Sequence, residues 1–100
     1  MQITNSNNSQ IKPIELKVNQ SVASNGSKVI VMYVNGYNKN GKKVKIFSIN
    51  YAVESFDFIC VKNFFAQIFA KFGKNEIIPL IKTMQGLKLD KNEIDEIAKI

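Results

Sequence analysis

The chain has no histidine, no arginine and no tryptophan among its 100 residues, and a single cysteine. Without histidine, Cys-His and Ser-His nucleophilic pairs, the HExxH zinc pattern and every His-ligated metal site are excluded. Cys60 alone cannot close an intrachain disulfide. Its place in an apolar stretch reads as a small core side chain, because reactive thiolates need an electropositive, accessible setting. The five glycines form neither a GxxxxGK[ST] nor a GxGxxG phosphate loop. The longest apolar stretch, residues 56–72, is interrupted by Asp57, Lys62, Asn63, Gln67 and Lys71, so no membrane crossing is expected. Residues 1–12 lack the basic and apolar regions of a signal peptide, which with the lone cysteine points to a cytoplasmic protein.

What the chain does carry is lysine. All 14 positive side chains are Lys, against 8 acids, for a net charge of +6. Residues 1–50 hold seven lysines and one acid, Glu15, whereas residues 51–100 hold seven of each, so the excess lies in the first half. Such asymmetry fits an acidic partner, a nucleic acid or an anionic surface. The Lys, Asn and Ile enrichment also fits a genome of low GC content, which would account for part of the basicity.

The organising stretch is Lys28–Tyr51, two β-rich runs around Asn40-Gly41. An Asn-Gly pair suits a two-residue type I′ turn, in which both central residues take positive φ. That turn would pair Lys39 with Lys42, Tyr37 with Val44, Asn35 with Ile46, Tyr33 with Ser48 and Val31 with Asn50. Side chains alternate across a strand, so Ile30, Met32 and Val34 would then share an apolar face with Phe47, Ile49 and Tyr51. Tyr33, Tyr37, Lys39 and Lys42 would share the other face, with Lys43 and Lys45 on the reverse near the tip.

Before this hairpin, residues 1–10 are Asn/Ser-rich without a period and read as a flexible arm. Residues 14–22 alternate as a third strand, turning back at Ser24–Ser27. A two-residue turn at Asn25-Gly26 would place Ile14, Leu16, Val18 and Val22 beside Tyr33 and Tyr37. A longer turn or a bulge would move them to the side of Met32 and Phe47, since a one-residue slip inverts every side chain. The pattern leaves both open.

The second half is helical. Residues 56–72 have a narrow wet stripe of Asn63, Gln67 and Lys71, with Gly73 as C-cap. A second helix is expected over 75–85, capped by Asn75 and carrying Pro79 near its start. A third, over 91–99, has Asp90 and Glu93 as a capping box, a Leu89/Ile94 staple, and Ile94, Ile97 and Ile100 on its inner side. The whole is a single α+β domain over 11–100, a three-stranded antiparallel sheet followed by three helices packed on it (strands about 14–22, 28–37 and 42–51).

Capping explains Asp90 and Glu93, and an exposed helix start explains Asp95 and Glu96, so these acids are not read as a metal site. No catalytic residue and no cofactor are expected. The remaining signal is Tyr33, Tyr37, Lys39, Lys42, Lys43 and Lys45 around one hairpin. Aromatic rings among lysines suit single-stranded nucleic acid, because bases stack on rings while ammonium groups meet phosphates. The absence of arginine argues against sequence-specific reading of guanine. The expected function is therefore non-catalytic, sequence-tolerant binding of nucleic acid or a nucleoprotein complex. The alternative is a protein target or homodimer held through Ile30, Met32, Val34, Phe47 and Ile49, as in an inhibitor or immunity-type phage or plasmid accessory.

Overall fold

A computed structural model of the chain describes residues 11–100. The arm expected over residues 1–10 lies outside the described residues. Strands β1 (Pro13–Val22), β2 (Lys28–Tyr37) and β3 (Lys43–Ala52) form one antiparallel sheet in the order β1-β2-β3. A 3-10 turn at Val53–Ser55 leads into helices α1 (Phe58–Phe72), α2 (Lys74–Ile81) and α3 (Lys91–Ala98). This is the α+β order that the sequence predicts. No helix among the described residues is long and apolar enough to cross a membrane.

Both hairpin loops are one residue longer than a two-residue turn, and this decides which side chains share a face. In the first, Ala23 N–H donates to the Ser27 carbonyl at 2.8 Å and Gly26 N–H to the Ala23 carbonyl at 2.9 Å. In the second, the corresponding bonds run from Asn38 N–H to Lys42 and from Gly41 N–H to Asn38, both at 2.9 Å. Only the glycines leave the right-handed region, Gly26 at φ 90° and Gly41 at φ 79°. Each loop is thus a tight turn followed by a left-handed glycine, a common three-residue hairpin connection, rather than the type I′ turn expected at Asn40-Gly41. Asn25 and Asn38 brace the loops, their side-chain oxygens accepting backbone N–H bonds from Ser27, and from Asn40 and Lys42.

With the three-residue first loop, Leu16 stands opposite Val34 and Val18 opposite Met32. The open question of β1 is thereby closed for Leu16 and Val18, which join Met32 and not the tyrosines, whereas Val22 is exposed. In the second hairpin the ladder changes register between Val34 and Asn35. Val34 pairs with Phe47 and Asn35 with Lys45, leaving Ile46 as the extra residue of a bulge. Below the bulge the predicted pairs Tyr33–Ser48 and Val31–Asn50 hold. Above it, Tyr37 meets Lys43 instead of Val44, and Asn35 meets Lys45 instead of Ile46. The bulge therefore turns Lys43 and Lys45 onto the tyrosine face, correcting their expected place on the reverse.

The apolar face is the core. Leu16, Val18, Met32 and Val34 are buried with Val61, Phe64, Phe65, Ile68 and Phe69 of α1, Ile77 and Ile81 of α2, and Ile97 of α3. Ile30, Ile46, Phe47 and Ile49 pack at the rim of the same cluster. Phe47 lies 6.3 Å centroid to centroid from Phe64 and meets Phe72 edge-on at 6.4 Å. Of the expected partner surface, Met32 and Val34 are buried and Ile30, Phe47 and Ile49 are half-buried against the same cluster, so these residues pack in the core, where burial of apolar area is worth about 1.5–3 kcal/mol per large side chain.

Helix α1 starts at Asp57, whose carboxylate accepts from Ile59 and Cys60 N–H at 3.0 and 3.2 Å. Asn63, Gln67 and Lys71 are exposed, as the wet stripe requires. Cys60 is only half-buried, in the first turn, and donates weakly to the Ser55 carbonyl; it is not one of the core residues. Helix α2 begins after Gly73, without the Asn75 cap, carries Pro79 towards its end, and stops at Ile81 rather than near residue 85. The chain is needed elsewhere: Gln85 N–H donates to the Leu16 carbonyl at 3.3 Å and its carbonyl accepts from Val18 N–H at 2.9 Å. This parallel bridge occupies the outer edge of β1.

Helix α3 has both halves of its capping box, Glu93 N–H to Asp90 at 2.8 Å and Asp90 N–H to Glu93 at 3.0 Å. Ile97 is buried, whereas Ile100, beyond the helix end, is 41% exposed. Replacing Asp90 by alanine removes one half of the box and should cost about 1 kcal/mol. A thermal melt should then shift down by about 4–8 °C. An unchanged midpoint would mean that α3 contributes nothing to the cooperative unit.

Candidate nucleic-acid interface

The outer face of the sheet carries Glu15, Lys17 and Asn19 from β1, Val29, Val31, Tyr33, Asn35 and Tyr37 from β2, and Lys43, Lys45, Ser48 and Asn50 from β3. None of these residues joins the core cluster, and all but Asn35 are exposed or half-buried. Lys39 and Lys42 stand exposed at the loop beyond Tyr37. Tyr33, Tyr37, Lys43 and Lys45 are thus brought to one face with Lys17 of β1, whereas Lys42, opposite Asn38 and next to Lys43, alternates to the reverse, a correction to its expected place beside the tyrosines, and Lys39 lies in the loop.

The members are held differently. Tyr33 is clamped: Asn19 Nδ2 donates to its hydroxyl at 2.8 Å, and Lys45 Nζ sits 4.5 Å from its ring centroid. Tyr37 is 53% exposed and is the larger free ring. They are two alternations apart on β2, so about 13 Å along the strand separates them.

Between them lies a strap. Lys43 on β3 reaches across β2 to Glu15 on β1, Nζ to Oε2 3.0 Å, and Asn35 Nδ2 donates to the same oxygen at 2.8 Å. Asn35 is 8% exposed on a face that is otherwise open. The hydrogen bonds from Asn35 and then Lys43 hold the Glu15 carboxyl below its ordinary range, and the Glu15 bond raises the Lys43 ammonium above its own. Glu15 therefore adds stability at neutral pH that is lost as pH falls through and below the usual carboxylate range. On the core side, burial pushes the Tyr51 hydroxyl up, against the opposing bond from Asn63 Nδ2 at 2.9 Å.

Glu15, Lys17, Asn19 and Asn35 are absent from the sequence-derived site. The strand alternation already put Glu15, Lys17 and Asn19 on one side of β1, but only a three-residue loop at Ser24–Gly26 brings that side to the tyrosines. In charge the face offers Lys17 and Lys45, and the loop at its end Lys39 and Lys42, none with a carboxylate partner among the described residues, and Lys43 paired with Glu15. Compared with known families, curated proteins and solved structures, the chain matches none.

Proposed function

We propose that the chain acts by binding, not catalysis, and that its uncovered sheet face takes up single-stranded nucleic acid, free or within a nucleoprotein complex. The observation that carries this reading is the bulge at Ile46, which gathers Lys43 and Lys45 onto the same face as Tyr33 and Tyr37. Tyr37 supplies a ring for a base to stack on. Lys17 and Lys45 on the face, with Lys39 and Lys42 at the loop beyond it, supply charge for phosphates. Lysine ammonium groups are point charges without the planar fork of arginine, which suits backbone contact and tolerance of sequence.

The test is fluorescence anisotropy of a labelled mixed-sequence single strand at about 50 and 200 mM salt. Four phosphate contacts give a slope of log K against log salt of about −3, from about 0.7 per phosphate. Replacing Lys39 and Lys42 together by glutamine should flatten that slope by about 1.4. Replacing Lys43 alone should change it less, because its charge is already met by Glu15. Absence of binding at low salt overturns the reading, and an unaltered slope in the double variant removes the loop from the site.

A further inference from the structure

Glu15 is the only acid in residues 1–50, yet it stands on the face whose lysines would meet phosphates. Two contacts hold it there. Its Oε2 accepts from Asn35 Nδ2 at 2.8 Å and lies 3.0 Å from Lys43 Nζ, which reaches it across β2. Asn35 is buried and needs an acceptor, but a neutral amide oxygen would serve it as well as a carboxylate. The negative charge answers Lys43 alone. No other lysine of the face or its loop has a carboxylate partner among the described residues, so Glu15 neutralises one cation of the group and no more. The Lys43 side chain is half-exposed, which leaves its ammonium open to a second anion from solvent. Ion pairs at this exposure are weak enough for such an anion to displace one partner.

Resting on the nucleic-acid reading above, we infer that Glu15 stands in for a backbone phosphate and competes with it for Lys43, which holds the face one contact short of its full affinity. A strand phosphate arriving between Tyr33 and Tyr37 takes over the ammonium, and Glu15 stays behind on Asn35. The exchange sets one anion against another. The phosphate gives up its counter-ion to meet Lys43, while the released carboxylate gains one, so this contact adds little to the salt dependence of the natural chain. Neutralising Glu15 turns Lys43 into a fifth full phosphate contact.

The experiment is anisotropy with the same labelled mixed-sequence single strand, from about 50 to 200 mM salt, on the natural chain, Glu15→Gln, Lys43→Gln and the double variant. Glutamine keeps the length of Glu15 and an oxygen for Asn35. Glu15→Gln should steepen the slope from about −3 to about −3.5 and tighten binding about eightfold at 50 mM, the effect of about 0.7 per phosphate between about 1 M and 50 mM salt. Lys43→Gln should flatten the slope less in the natural chain than in Glu15→Gln, where it removes the whole gain. Asp95→Asn takes the same charge from an exposed position on α3 and should leave the slope unaltered. Equal steepening in Asp95→Asn makes net charge the cause and overturns the competition. An unchanged slope in Glu15→Gln, with circular dichroism like that of the natural chain, overturns it too and leaves the surface intact. If Glu15→Gln does not fold, Lys43→Gln decides: flattening by a full 0.7 or so puts Lys43 on phosphate in the natural chain and overturns the competition, and a smaller change upholds it. Failure of both the natural chain and a folded Glu15→Gln to bind at 50 mM overturns the surface itself, and this inference with it.

Discussion

Replacing Gly86 by alanine should destabilise the fold by about 3 kcal/mol or more. Gly86 has φ 96°, and a Cβ there would lie 1.8 Å from the Val18 carbonyl oxygen and 2.8 Å from its carbon. Both contacts are to backbone of β1, which cannot swing aside as a side chain would. To admit the methyl group the chain must give up the bonds by which Gln85 grips Leu16 and Val18, each worth about 0.5–1.5 kcal/mol net. A left-handed non-glycine residue adds about 1–3 kcal/mol of strain. Against the 5–15 kcal/mol of a typical domain this is a large share. Urea unfolding measures it as a lowered midpoint with an unchanged m-value. Gly26→Ala is the control, because φ there is 90° but nothing lies within 4 Å of the added carbon. If the two variants lose equal stability, backbone strain alone is at work and the crossing over β1 is looser than described.

Tyr37→Ala should weaken single-strand binding by about 10- to 100-fold while leaving the melting temperature almost unchanged. Loss of one stacked base is worth about 1–3 kcal/mol. Tyr37 can be removed at little structural cost, being 53% exposed and outside the core cluster. Tyr33→Ala should cost less binding and more stability. One side of that ring already holds Lys45 and its hydroxyl already accepts from Asn19. Parallel titrations and melts of the two variants separate these effects. Equal, small losses of affinity in both would leave lysine charge as the whole attraction and remove stacking from it.

Most of the architecture is legible in the sequence because its punctuation is local. Asp90 and Glu93 specify a helix start through bonds within four residues, and the Asn63, Gln67 and Lys71 stripe shows which side of α1 is wet. Loop length is less legible. Ser24-Asn25-Gly26 and Lys39-Asn40-Gly41 each contain the Asn-Gly pair that a two-residue turn favours, yet in both only the glycine takes positive φ. One added residue is enough to exchange the two faces of a strand. The bulge at Ile46 carries no signature of its own, since Ile46 is as good a strand residue as its neighbours. It follows from the core's demand that Phe47 and Ile49 stay beneath the helices after the odd-length loop has shifted the ladder. The first loop hid Glu15 from the site in the same way, because its pairing with Asn35 spans two strands whose relative phase that loop sets.

The odd-length loop and the bulge cancel each other, which divides the second hairpin into two independently phased segments. Between them, Lys43, Val44 and Lys45 follow the loop, while Phe47, Ile49 and Tyr51 follow the core. Loss of Ile46 alone would leave a regular ladder in which Lys43 still stands opposite Tyr37 and Lys45 opposite Asn35, whereas tightening the loop to Asn40-Gly41 at constant chain length would absorb the bulge and carry Lys43 and Lys45 to the other side. The charge pattern of this face is therefore set by which residues close the loop, while the core keeps its own phase.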